Sequence, residues 1–199
     1  SPYIATALGD VDGDGSVELV SASGYGTHSV IAVFDAESGV EEWRSTNDIT
    51  DPNDPRYMSV ATIRLVPRIG ESSMDIVLAG NNYSYGRICV LDGMTKQIRL
   101  QIGDNSLEPM ANRYISDMAL LDFGADGIED YLVATQPYGS GSSGARLQLF
   151  SGFDGDAPWA SETMGTGEVE INGVFLAVSP TDPVDMKIVA VLAEGLRAY

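Results

Sequence analysis

Short apolar segments recur along the chain at intervals of about 57 residues, a spacing typical of repeat architectures. They are rich in β-branched, aromatic or alternating residues and are bounded by Gly, Ser, Asn and Asp, as strands are. The recurring segments are Val17–Val20, Met74–Val77, Glu129–Leu132 and Met186–Val189. Helical periodicity is not convincing anywhere in the chain. The pattern therefore predicts an all-β protein made of four repeats.

Each of these segments has an apolar segment before it and another behind it. The preceding segments are Tyr3–Leu8, Val60–Val66, Ile115–Leu121 and Val174–Val178. The following segments are Ile31–Phe34, Ile88–Leu91, Leu147–Phe150 and Leu196–Tyr199. Three apolar segments per repeat predict three consecutive antiparallel strands, which we call A, B and C.

A third marker follows strand C and predicts a turn and a fourth strand, D. Repeat one reads Asp35-x-x-x-Gly39-x-x-x-Trp43, and repeat three reads Ser151-x-x-x-Gly155-x-x-x-Trp159. Repeat two carries the altered form Asp92-x-x-x-Lys96-x-x-x-Leu100. Asp and Gly suit a tight turn, and we expect the two tryptophans to pack between neighbouring sheets.

Four antiparallel strands in about 57 residues match the size of a β-propeller blade. We predict a single propeller domain or segment with blades at residues 1–50, 51–106, 107–166 and 167–199, the last lacking strand D. Either four blades close a ring or the chain is a piece of a larger propeller. In the second case its open strand edges would favour self-association.

The charge of the chain narrows the class of partner. Eleven basic and 29 acidic residues give a formal net charge of −18. Such a surface repels phosphate backbones and anionic lipids, so we expect no nucleic-acid partner. No apolar run approaches the roughly 20 residues of a membrane span, so we expect no membrane insertion. The single cysteine, Cys89, excludes an internal disulfide, and its apolar neighbours predict a buried side chain.

The loop between strands A and B of repeat one carries the candidate chemistry. It reads Asp10-Val-Asp12-Gly-Asp14-Gly-Ser16-Val-Glu18, with carboxylates at alternate positions and a fourth at position nine. The glycines let the backbone fold back, so that the carboxylates can converge. Hard oxygen ligands in such a loop favour Ca²⁺ over Zn²⁺. The alternative is an Asp/Gly-rich turn that binds no metal.

The Asp10–Glu18 loop resembles the FG-GAP/VCBS type of propeller repeat, which integrin α-subunits and many bacterial surface proteins contain. The segment from Ile31 to Trp43 is also similar to the blade signature of PQQ-type propellers. The resemblance implies calcium as the cofactor, with the side chains of Asp10, Asp12, Asp14 and Glu18 and the carbonyl of Ser16 as ligands. It also implies an extracellular, cell-surface or periplasmic location. Since the chain begins Ser-Pro, we expect any signal peptide to have been removed.

The corresponding loops of the other repeats have lost acidic residues. Repeat three reads Asp122-x-Gly124-x-Asp126-Gly-x-x-Asp130, so position three has no carboxylate, and at most a weaker second site is expected. Repeat two offers only Pro67-Arg68 and Asp75, and the loop of repeat four likewise lacks a set of alternating acidic residues. Neither is expected to bind metal.

A recognition surface is predicted at the opposite ends of the blades. The B–C loops place tyrosines among Gly, Ser and Asn, and the connections between blades add arginines, a composition typical of binding surfaces. The candidate residues are Tyr25, Arg56, Tyr83, Tyr85, Arg113 and Tyr138. The alternative is that these tyrosines cap the edges of the blades.

No catalytic residue is nominated. The chain has no Gly-x-Ser-x-Gly, His-Glu-x-x-His or phosphate-binding glycine motif, and its one histidine, His28, lies in a Gly/Ser/Thr loop. We therefore predict an extracytoplasmic, calcium-stabilised binding module for a protein or carbohydrate ligand. The alternative is a propeller portion of a secreted carbohydrate-active enzyme that resembles polysaccharide lyases.

Overall fold

A computed structural model describes residues 3–25, 28–45, 57–82, 85–103, 110, 113–137, 144–161, 171–178, 186–192 and 195–198. These residues form fifteen strands in four antiparallel sheets, and no helix occurs among them. None of the described segments is therefore an apolar helix of membrane-spanning length. Three sheets have four strands and the last has three, which confirms the predicted all-β fold with an incomplete fourth unit.

Each sheet is a meander whose strands are hydrogen-bonded in chain order. Sheet 1 consists of β1 (Tyr3–Gly9), β2 (Glu18–Tyr25), β3 (His28–Asp35) and β4 (Glu41–Arg44). Sheet 2 consists of β5 (Ser59–Pro67), β6 (Met74–Asn82), β7 (Tyr85–Asp92) and β8 (Ile98–Ile102). Sheet 3 consists of β9 (Arg113–Leu121), β10 (Asp130–Pro137), β11 (Arg146–Phe150) and β12 (Trp159–Ala160). Sheet 4 consists of β13 (Ile171–Val178), β14 (Met186–Leu192) and β15 (Gly195–Ala198).

The chain divides into two compact units, Ser1–Ala111 and Asn112–Tyr199. Unit 1 contains sheets 1 and 2, and unit 2 contains sheets 3 and 4. The division falls between the second and third predicted repeats.

The core of unit 1 is formed by residues of β2, β3, β5, β6 and β7 together with Val11 and Met58. Strands β6 and β7 are buried along almost their whole length, which explains their nearly continuous apolar sequences. Cys89 on β7 is fully buried, as predicted. Of the edge strands, β4 carries three charged residues and β8 carries Arg99, and these charges discourage pairing with further strands.

The two recurring tryptophans have different surroundings. Trp43 is partly buried and packs against the core of unit 1, as expected. Trp159 is 38% exposed, so the expected burial is not found there. Its strand, β12, is only two residues long and pairs only with the end of β11.

Strand register places the loops between the first and second strands at equivalent positions in three sheets. Glu18 lies opposite Gly9 and Asp35, and Asp75 lies opposite Val66 and Asp92. In sheet 3, Asp130 lies opposite Leu121. Glu18, Asp75 and Asp130 therefore occupy equivalent positions, each nine places after the residue that it pairs with on the preceding strand. We call the end of each sheet that carries this loop, together with the turn between the third and fourth strands, its loop end.

Candidate metal centre

The loop between β1 and β2 is folded back by its own aspartates. Asp10 accepts hydrogen bonds from the backbone N–H groups of Gly13 at 2.8 Å and Gly15 at 3.0 Å. Asp14 accepts one from Ser16 at 2.7 Å. Gly13 and Gly15 have φ values of 83° and 95°, which residues other than glycine rarely adopt. These interactions form locally, so the short-range sequence is sufficient to shape the loop.

The folded loop brings four carboxylates together. One oxygen from each of Asp10, Asp12, Asp14 and Glu18 lies within 4.8 Å of the others. Among the described residues, these four acidic side chains form the one group that lies close enough together to hold a metal ion. The structure therefore brings together the four side chains that the sequence predicts. The role of the Ser16 carbonyl as a further ligand stays a prediction.

Glu18 is the buried member of this cluster, with 1% of its surface exposed. Its Oε2 accepts a hydrogen bond from the N–H of Val11 at 2.7 Å. Its Oε1 is also buried, and none of the described residues donates a hydrogen bond to it. A buried carboxylate oxygen without a donor is costly unless a cation or a proton satisfies it.

The electrostatic surroundings make this position still less favourable for a free carboxylate. Burial raises the pKa of Glu18, and the nearby carboxylates of Asp12, Glu42 and Asp10 raise it further, against the opposing effect of the Val11 hydrogen bond. Glu42, which is exposed, also has a raised pKa, caused first by partial desolvation and then by Asp12. The cluster is thus an accumulation of negative charge that a divalent cation would relieve.

In the equivalent loop of sheet 3, the first aspartate again accepts hydrogen bonds from backbone N–H groups. The final acid, Asp130, differs from Glu18 because both of its oxygens already have donors. Asp122 accepts hydrogen bonds from the N–H groups of Asp126 at 3.0 Å and Gly127 at 2.9 Å. Asp130 uses both oxygens, accepting from Phe123 at 3.0 Å and from Gly152 at 3.1 Å. Since Gly124 also replaces the carboxylate at position three, this loop offers poorer metal ligands than the first.

The equivalent loop in sheet 2 places an arginine beside its buried acid. Asp75 is ion-paired with Arg68, whose Nε lies 3.8 Å from Oδ1, and with Arg99. The same Arg68 guanidinium pairs with Asp92 and Glu71, both at 2.7 Å. Burial nevertheless raises the pKa of Asp75, against the opposing effects of Arg99 and Arg68. A guanidinium thus supplies the positive charge in this loop. The sequence indicates this arrangement by placing a basic residue, Arg68, in a loop that keeps its final acid, Asp75.

Two residues of the predicted recognition surface are buried. Tyr85 is 7% exposed, and its hydroxyl accepts hydrogen bonds from Asn82 Nδ2 at 2.7 Å and Arg87 Nη2 at 3.1 Å. Arg113 is 5% exposed, and its Nη1 donates to Thr135 Oγ1 at 3.4 Å and to the carbonyl of Gly144 at 3.2 Å. For these two residues the expected exposure is wrong, because each polar group has internal partners that allow its burial.

The other recognition candidates are not described by the structure. Tyr25 ends strand β2, but its side chain lies outside the described residues. Arg56, Tyr83 and Tyr138 also lie outside them. The predicted role of these four residues in a recognition surface therefore stays a prediction.

We expect Tyr85→Phe to lower the free energy of unfolding by about 1–2 kcal/mol, because it removes two buried hydrogen bonds to the hydroxyl. Arg87 also lies over the Tyr85 ring, 5.4 Å from its centroid, and the phenylalanine ring preserves this contact. Urea unfolding measures the change. An unchanged midpoint would mean that the hydroxyl is not a structural acceptor.

The fold of this chain is similar to that of a known propeller structure, but its sequence matches no described family. The sequence matches no protein-family model and no curated protein. Thirty-four chains of solved structures match the fold. One, described as the structure of the Dos1 propeller, aligns with 99% of this chain at a TM-score of 0.61 and 14% identity. The chain spans 43% of the length of that structure. The likeness confirms the predicted β-propeller fold, whereas membership of the FG-GAP/VCBS or PQQ-type families stays a prediction.

Proposed function

We propose that this chain is a β-propeller binding module stabilised by Ca²⁺ in the loop between β1 and β2. The observation that carries the proposal is the buried Oε1 of Glu18: none of the described residues donates to it, and the Glu18 carboxylate belongs to a cluster with three others. An acidic turn that binds no metal would be expected to expose its carboxylates or to satisfy them internally. The equivalent Asp130 in sheet 3 is satisfied in that second way.

The chemistry of the donors favours calcium. The four side-chain ligands are Asp10, Asp12, Asp14 and Glu18, and all supply carboxylate oxygen. Ca²⁺ accepts six to eight such ligands in a flexible geometry, whereas Zn²⁺ prefers nitrogen and sulfur. When bound, the ion would neutralise the charge that these residues accumulate.

The metal loop also contacts sheet 2 within unit 1, which would extend the effect of the ion beyond the loop. The Val11 carbonyl accepts a hydrogen bond from the N–H of Met74 at 3.1 Å, and the Gly13 carbonyl accepts one from Ser72 Oγ at 3.3 Å. Gly93 lies so close to the Val11 and Met74 carbonyls that a Cβ there would collide with both. Ordering of the loop by calcium would thus support the packing of sheet 1 on sheet 2.

An extracytoplasmic location is consistent with this proposal. Extracellular calcium modules typically bind at about 10⁻⁴ to 10⁻³ M, and four clustered carboxylates suit that range or a tighter one. The partner proposed for the module is a protein or a carbohydrate. Glycan-array binding, measured alongside activity assays on polysaccharides, tests the carbohydrate partner and the enzyme alternative together.

The direct test of the metal site is Glu18→Gln, which removes the buried charge while preserving the shape of the side chain. With a chelator at pH 8, we expect the variant to unfold at a higher temperature than the wild type. With saturating Ca²⁺ the order should reverse, because only the wild type gains stability from the ion. Glu37→Gln, at an exposed acid outside the cluster, is the control and should leave both melting temperatures unchanged.

The pH dependence in chelator follows from the raised pKa of Glu18. The folded state binds the proton more tightly than the unfolded state, so the stability of the wild type should fall as pH rises through the folded pKa. The advantage of Glu18→Gln should therefore grow between pH 5 and pH 8. A constant difference over this range, or no reversal with calcium, would count against Glu18 as a ligand.

A further inference from the structure

Large apolar side chains are exposed at the loop end of sheet 3. Phe153, in the turn between β11 and β12, is 75% exposed, and Phe123, in the loop between β9 and β10, is 63% exposed. Trp159, at the start of β12, is 38% exposed. Aromatic residues that cluster at a surface commonly mark an interaction site.

One carboxylate links the two loops that carry the phenylalanines. Asp130 Oδ2 accepts from the N–H of Phe123 at 3.0 Å, and Oδ1 accepts from the N–H of Gly152, which precedes Phe153, at 3.1 Å. The turn after β11 is closed by backbone hydrogen bonds from Ser151 to the Asp156 carbonyl at 2.8 Å and from Gly155 to the Ser151 carbonyl at 2.9 Å. The two loops that carry the phenylalanines are thus held to one carboxylate by their backbones, and such ordering reduces the entropy lost on binding.

The two loops that carry the phenylalanines contain only acidic charged residues. Residues 122–130 and 151–158 contain no Lys, Arg or His. Their acidic residues are Asp122, Asp126, Glu129, Asp130, Asp154 and Asp156. Asp126, Asp154 and Asp156 are exposed. We call the three aromatic residues and these six acids the aromatic–acidic patch.

We propose that the aromatic–acidic patch binds a basic segment of a protein partner in which arginine or lysine alternates with apolar residues. A guanidinium or ammonium group placed over Phe123 or Phe153 is attracted by the ring face, and the neighbouring carboxylates strengthen that attraction. Apolar residues of the partner would cover the remaining ring surface. The inference rests on the proposed role as a binding module, but it uses neither the metal site nor the predicted tyrosine surface.

Charge separates this partner from other occupants. Nucleic acid and anionic lipid would be repelled by the six acids. A neutral carbohydrate could stack on the rings but would leave the carboxylates unused. A second copy of this chain, which carries a net charge of −18, would meet long-range repulsion. A basic, partly apolar peptide uses both features of the patch.

The test uses the full chain and three short, fluorescently labelled peptides in which arginine alternates with leucine, arginine with serine, or glutamate with leucine. Anisotropy measures their affinity. We expect the arginine–leucine peptide to bind tightest, and the double variant Phe123→Ser/Phe153→Ser to weaken it by about tenfold. The exposure of both side chains should keep the variant folded, which its melting temperature checks. The matched control is Val40→Ser/Met94→Ser, which replaces two residues of unit 1 with similar exposure (61% and 60%).

Several results would overturn the inference. Equal binding of the arginine–serine peptide would indicate charge alone, and equal binding of the glutamate–leucine peptide would indicate nonspecific apolar adsorption. Wild-type affinity in the Phe123→Ser/Phe153→Ser variant, or equal loss in the control variant, would place the site elsewhere. A concentration-dependent dimer that this variant abolishes would identify a second copy as the occupant.

The experiment also separates this inference from the metal proposal. Each titration is repeated in chelator and with Asp14→Ala, which removes a proposed calcium ligand in unit 1. Peptide binding that persists in both cases supports the patch whatever the outcome for calcium. A calcium-dependent melting temperature together with no peptide binding would leave the metal proposal standing and remove this one.

Discussion

Saturating Ca²⁺ is expected to raise the free energy of unfolding by about 2.7 kcal/mol at a concentration roughly a hundred times its dissociation constant. For a chain of this size the gain corresponds to roughly 5–10 °C in melting temperature. This expectation follows from the proposal that the ion binds only the folded loop, where four carboxylate oxygens lie within 4.8 Å of one another. Thermal unfolding in calcium, in magnesium and in chelator measures the shift, and calcium should give the largest.

A matched pair of variants locates the effect. Asp14 and Asp126 occupy equivalent positions in the loops of sheets 1 and 3, and each accepts a hydrogen bond from the residue two places on, at 2.7 Å and 2.8 Å. Replacing either by alanine therefore removes the same local hydrogen bond. Only Asp14→Ala should abolish most of the calcium shift. An equal loss in Asp126→Ala, or a melting temperature of the wild type that chelator does not change, would contradict the assignment.

Arg68→Ala is expected to destabilise the protein by about 3 kcal/mol, with or without calcium. The guanidinium contacts Asp75, Asp92 and Glu71, and Asp75 is largely buried. Removing one partner of a buried ion pair leaves an uncompensated charge, which commonly costs about 3–5 kcal/mol. Since Arg99 still contacts Asp75, the lower end of that range applies. Urea unfolding measures the loss.

Two further variants test the cause. Asp75→Asn in the Arg68→Ala background removes the buried charge and should recover part of the lost stability, as coupled neighbours do in a double-mutant cycle. Arg44→Ala removes a surface ion pair with Glu41 and should change stability little. If Arg68→Ala behaved like Arg44→Ala, the guanidinium would not be the structural cation of sheet 2.

The repeat and the convergence of carboxylates in the acidic loop of sheet 1 could be predicted from the sequence because both depend on short-range order. Strands with turn residues between them form meanders in chain order, so the recurrence of apolar segments predicts the sheets before any long-range contact is known. The carboxylates of the loop from Asp10 to Glu18 converge because glycines and local hydrogen bonds fold nine consecutive residues back on themselves. In the same way, the small size and apolar neighbours of Cys89 predict its burial.

Only the tertiary structure decided which polar and aromatic residues face the interior. Tyr85 and Arg113 have the composition of a binding surface, yet both are buried: Asn82, across the hairpin, and Arg87 donate to the Tyr85 hydroxyl, and Arg113 donates to the carbonyl of the distant Gly144. Trp43 and Trp159 share a repeat position, yet Trp43 packs against the core of unit 1 whereas Trp159 is 38% exposed. Burial depends on what the neighbouring strands place around a side chain, and the identity of a residue does not carry that information.

The same reason explains why the three loops differ. The sequence identifies an acid at the end of each, but the partners of that acid come from other strands and loops. Asp130 accepts from the N–H of Gly152, whereas Asp75 Oδ1 and Glu18 Oε1 are both buried without a hydrogen bond from the described residues. Asp75, however, is ion-paired with Arg68, whose Nε lies 3.8 Å from Oδ1, and with Arg99 of β8. The sequence by itself thus determined where carboxylates gather, and only the packing of separate strands decided which of them have a guanidinium or a backbone donor beside them.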